Sequence, residues 1–167
     1  MDALPSMWRT ELWHPLIVHF PIALLLVGTV VRLGGALRGR WTSLSFLVPA
    51  GRLLLVLGTV GAWAAVYTGT WADAEVARSL CDPTVVEAHE MWAYRVGYLF
   101  TGGLLVDAVL WLRRPGARIR RGLFAVLVLV LLGGSAGLGY VGHLGAKLVY
   151  QQAAAVHQPA ADCADFE

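Results

Sequence analysis

The chain has 167 residues, of which 57% are hydrophobic and 14% charged, and its mean hydropathy is +0.63. Soluble globular domains carry about 25% charged residues, and disordered segments combine low hydrophobicity with high charge, so neither class fits. A formal net charge of +2 leaves no electrostatic footprint for nucleic acid, and the class that remains is an integral membrane protein.

A helix needs about 20 mainly apolar residues to cross the hydrocarbon core. In chain order, residues 12–31 run from Glu11 to Arg32 without an Asp, Glu, Lys or Arg, and residues 53–72 do the same between Arg52 and Asp73. A third stretch, 87–112, holds Arg95 and Asp107, while 122–146 is free of formal charge. The expected fold is therefore an all-α, four-helix transmembrane bundle. It forms a single domain over residues 1–167, with spans at about 12–33, 52–72, 87–112 and 120–146 and an external tail at 147–167. The first run is read as a span: one Arg and two acids precede it, no clean small-residue cleavage site follows, and it contains His14 and His19.

Arg32, Arg38, Arg40 and Arg52 lie in the first connection, and Arg113, Arg114, Arg118, Arg120 and Arg121 in the third. Lys and Arg accumulate on the cytoplasmic side of membrane proteins, so both termini and the middle loop are expected outside the cytoplasm. Cys81 and Cys163 both fall on that side, where a disulfide can form and persist. No C-x-x-C-H occurs for covalent haem attachment.

Four histidines collect in the outer half. His14 opens span one and His19 lies about 7.5 Å deeper, His89 opens span three, and His143 is near the outer end of span four. Ionisable side chains inside a membrane are functional candidates by default, and helical bundles build metal and cofactor sites from facing side chains. The Glu-x-x-His spacing of a dinuclear carboxylate site is missing, as is a thioether cluster; a mixed His and carboxylate metal site stays open. Haem b suits the imidazoles, which make His14, His19, His89 and His143 the candidate axial ligands. On span four, Gly139 lies one turn below His143 and leaves a bare face against which a porphyrin could lie. Arg95, about 9 Å deeper than His89, would meet haem propionates or a neighbouring carboxylate. Pro15 and Pro21 give His14 and His19 separate directions, with His19 the candidate for the core. His14 is then a ligand to a second haem, a supporting donor or an interfacial side chain.

The run HPLIVHFPIALL beginning at His14, GHLGAKLVYQ at Gly142–Gln151 and the histidine opening the third span resemble the bacterial four-helix membrane family called domain of unknown function 2231. The resemblance covers nearly the whole chain and carries His14, His19 and His143 directly. Some relatives are joined to c-type cytochrome domains, which implies redox work near a haem. One departure is QQAAAV after the fourth span, where relatives are usually glycine-rich.

The expected function is that of a b-type cytochrome-like electron-transfer subunit in the bacterial cytoplasmic membrane, holding one or two haems by bis-histidine ligation. Quinol, a c-type cytochrome or subunits of a redox complex would be its partners, with no role for nucleic acid. The other readings are a cofactor-free or metal-binding structural subunit, in a homo- or hetero-oligomer, and a quinol-oxidising subunit whose base is His89, Glu87 or Glu90.

Overall fold

A computed structural model describes residues 8–37, 45–77 and 80–156. A 3-10 turn, Thr10–Leu12, leads into α1 (Trp13–Leu37), followed by α2 (Leu47–Val76), α3 (Thr84–Leu112) and α4 (Ala117–Gln152). There is no strand among the described residues. All four helices are long and apolar enough to cross a membrane.

Proline does not break α1. Pro15 sits in its first turn, where an amide N–H would have no helical acceptor, and Pro21 lies inside a helix that continues to Leu37. α4 runs past the expected end of the fourth span and takes in Lys147, because nothing in Ala146–Gln152 stops a helix. It ends where Ala153 turns left-handed at φ 53° and the Ala154 amide donates back to the Leu148 carbonyl at 3.0 Å. The alanines that replace the glycine-rich segment thus adopt glycine-like backbone, Ala155 also having φ 57°.

α1 packs along α2 and α3 along α4, and the two hairpins meet through α2 with α3 and α1 with α4. The shared core is Leu25, Leu55, Val96, Phe100, Leu127 and Leu131. Glycines permit the close approach: a Cβ on Gly51 would lie 2.5 Å from the Arg32 amide nitrogen, and one on Gly58 2.8 Å from Leu25. Gly134 receives Phe100 in the same way. Van der Waals contact across such small residues is what holds transmembrane helices together, since lipid supplies no hydrophobic drive between them. Large apolar side chains such as Leu16, Phe20, Val30, Leu53, Val60, Leu105 and Leu129 accordingly point outward.

At the arginine-rich end, three helices are pinned by charge. Asp107 is fully buried. Its Oδ1 accepts Arg32 Nε at 2.9 Å together with Arg32 Nη2, and its Oδ2 accepts Arg52 Nε at 2.7 Å. Arg32 and Arg52, assigned above to a connection, lie within α1 and α2 and are partners of the aspartate embedded in the third span. The guanidinium groups also lie over Phe124, at 5.8 Å, and Trp111, at 4.9 Å. Lowered dielectric strengthens each of these contacts and makes an unpaired member costly.

Candidate functional site

The far end of the bundle holds the histidines. His14, in the first turn of α1, places Nδ1 2.8 Å from the Ala65 carbonyl of α2. His89, in the second turn of α3, places Nδ1 3.1 Å from the Val141 carbonyl of α4. A carbonyl oxygen only accepts, so both Nδ1 atoms carry a proton, and in the neutral imidazole each Nε2 then has the lone pair. A ligating histidine typically has this second hydrogen bond, which fixes tautomer and ring direction and raises basicity.

Each hairpin therefore contributes one oriented imidazole. The rings meet in a T-shaped arrangement, with centres 6.1 Å apart and planes at 87°. Two imidazoles holding one metal ion from opposite sides, with bonds of about 2.0 Å, have ring centres about 6 Å apart. Glycine makes room for both: a Cβ at Gly69 would lie 3.2 Å from the His14 ring, and one at Gly145 3.3 Å from the His89 ring.

The pair lines a cavity of about 370 Å³ between the hairpins, walled by small and apolar residues including Val18, Pro21, Ala62, Ala93, Val96, Gly97 and Leu138. Glu11, Asp73 and Glu90 are its acidic members. Beside it lies a polar pocket of about 350 Å³ that shares Glu11, Val76 and Ala155 and adds Arg9, Glu75 and Gln152. Two buried polar atoms here have no hydrogen-bond partner, Arg9 Nε and Asp73 Oδ1. Arg9 also pairs with Glu11 through Nη1 at 3.1 Å.

The remaining sequence candidates lie elsewhere. His19 is exposed on the outer surface of α1, which corrects the expectation that it points into the core. It stands about 140° round the helix from the inward-facing His14, and neither proline interrupts that helix. His143 and Gly139 do share a bare face, and nothing lies within 4 Å of a Cβ at Gly139, but this face looks away from the bundle. His143 rests near Tyr140, whose ring packs on Trp92 at 5.1 Å, and exposed Arg95 stacks on that same indole at 4.8 Å. Arg95 is thus absent from the cavity, and the arginine beside it is Arg9, a residue that sequence reasoning set aside as a flank. No group of three or more His, Cys, Asp or Glu is placed to hold a metal ion among the described residues. Cys81 is exposed in the α2–α3 connection, and Cys163 lies outside the described residues.

Asp82, in that same connection, accepts hydrogen bonds from the Thr84 hydroxyl at 2.7 Å and the Thr84 amide at 3.0 Å. These bonds favour the ionised form and hold its carboxyl below the usual carboxylate value.

Fold and site together define a four-helix membrane protein with an oriented histidine pair between two helical hairpins. The chain belongs to the family described as predicted membrane protein (DUF2231), whose model matches residues 12–158, a range that contains all four transmembrane histidines. No curated protein and no solved structure matches the chain.

Proposed function

We propose that the protein is a membrane b-type cytochrome that holds one haem between His14 and His89 and passes electrons at the histidine end of the bundle. The observation that carries this reading is the pair itself: two imidazoles from different hairpins, 6.1 Å apart, each with Nδ1 bonded to a backbone carbonyl and with no third protein ligand beside them among the described residues. Two axial donors suit a metal whose other donors come with it, as in a porphyrin. Haem would supply a one-electron couple, and occupation of both axial positions favours electron transfer over oxygen chemistry.

The chain's own residues would bind and insulate the group. His14 and His89 give it directed lone pairs, the apolar wall excludes water, and Arg9 Nε is an unsatisfied donor for a propionate. A single pair in the cavity supports one haem, with His19 and His143 exposed elsewhere. Termini on the periplasmic side of the bacterial cytoplasmic membrane follow from the arginine distribution. The acidic surface of Glu75, Asp82, Glu87 and Glu90, all exposed, then suits a basic patch on a c-type cytochrome partner, with membrane quinol as the other redox partner.

Reduced-minus-oxidised spectra and a pyridine haemochrome assay on the detergent-purified protein test the proposal. One haem b per chain is expected, lost in His14→Ala and in His89→Ala and kept in His19→Ala and His143→Ala. Colourless protein from haem-sufficient cells overturns it in favour of a cofactor-free subunit, a reading to which the outward His143 and Gly139 face lends itself.

A further inference from the structure

We propose that the arginine-rich end of the bundle binds the phosphate of one anionic phospholipid, gripped by Arg52 and flanked by Trp111. Two guanidinium groups share Asp107, and between Glu90 and Asp162 the chain has no other acid. One positive charge is therefore left over inside the membrane domain. It is presented at Arg52: the Arg32 side chain is 6% exposed and commits two nitrogens to Asp107, whereas Arg52 is 20% exposed and commits only Nε. Its two Nη groups form no hydrogen bond among the described residues, and its guanidinium lies over Trp111, itself 55% exposed.

The depth agrees. Arg32, Arg52 and Asp107 each lie five residues inside the arginine-rich end of their helix, about 7.5 Å by helical rise. That is comparable with the polar layer, which adds roughly 5–8 Å to each side of the hydrocarbon core. Exposed Arg113, Arg114, Arg118, Arg120 and Arg121 lie at the same end of the bundle, after α3 and in the first turns of α4, and raise the local potential for anions. A phosphodiester offers two oxygens in the spacing of the guanidinium fork, and the net charge of an anionic lipid is opposite in sign to the surplus. An indole beside it is the usual neighbour of a headgroup.

Native mass spectrometry of the full chain in detergent, titrated separately with phosphatidylglycerol and phosphatidylcholine, tests this. One phosphatidylglycerol per chain should be retained with an apparent affinity at least about tenfold above that for phosphatidylcholine. Arg52→Gln, which removes the surplus charge and leaves Arg32 to balance Asp107, should abolish the preference, and Trp111→Ala, which leaves the Asp107 pairs in place, should reduce it. Arg118→Gln should keep it. Equal retention of the two lipids, or a preference unchanged in both site variants, overturns the proposal. Displacement of the lipid by millimolar inorganic phosphate overturns its assignment to a phospholipid.

Discussion

His14 and His89 come from different helical hairpins and meet ring to ring at 6.1 Å, yet neither is held by the other. Each is fixed by a backbone carbonyl of its own hairpin, Ala65 for His14 and Val141 for His89. Pair geometry therefore reports directly on how the two hairpins are docked.

Gly69 and Gly145 give a way to perturb the pair without removing it. A methyl group in Gly69→Ala or Gly145→Ala would press on the imidazole at 3.2 or 3.3 Å, so that the ring must shift by a few tenths of an ångström, and each is expected to be less stable than Gly139→Ala by about 1 kcal/mol. Under the proposed function these variants also lose haem occupancy. Thermal unfolding in detergent, with haem counted per chain, checks both effects; Gly139→Ala, in open space inside α4, should leave haem occupancy unchanged and gain about 0.5–1 kcal/mol, the cost of glycine relative to alanine in a helix.

Asp107→Asn should be the most damaging single change at the other end. It leaves Arg32 and Arg52 in the membrane domain without a counter-charge, and breaking a buried pair this way costs about 3–5 kcal/mol. Arg52→Gln should cost less than Arg32→Gln, because Arg52 reaches the surface and Arg32 does not. Melting temperatures of the three variants in one detergent test the order.

Replacing Ala153 by glycine should stabilise the chain. A non-glycine residue in the left-handed region costs roughly 1–2 kcal/mol, and Ala153 sits there at φ 53°. Part of that gain is returned through the greater freedom of glycine in the unfolded chain, so Ala153→Gly is expected to gain about 0.5–1 kcal/mol, seen as a higher unfolding midpoint. A loss of stability would mean that this turn carries no strain.

Asp82 makes the start of α3 sensitive to acid. Its folded-state pKa is lowered, so its stabilising effect is complete above the ordinary value of 3.8 and is lost as pH falls through the lowered value. Amide exchange at Thr84 should accelerate, after correction for intrinsic rates, as pH drops below that value. Asp82→Ala should remove the extra acid sensitivity along with the protection.

The membrane class, the number of helices and the placing of His14 and His89 at one end were all legible from hydropathy and helical rise, which need only distance along the chain. Direction round the helix was not. A helix that is apolar on both its lipid and its core face has little amphipathic asymmetry to mark which side turns inward, so His19 and His89 read as equivalent although one is exposed and the other lines the cavity. Arg32, Arg52 and Asp107 read as boundary and stray charges for a related reason, since their pairing spans 75 and 55 positions. One signal was available: Asp107 is the sole acid between Glu90 and Asp162. The amino-acid sequence alone determined what enters the membrane and at what depth, because transfer free energy depends on composition. Only the tertiary structure decided which side chains meet, because that depends on helix rotation, which close contact at Gly51, Gly58 and Gly134 selects.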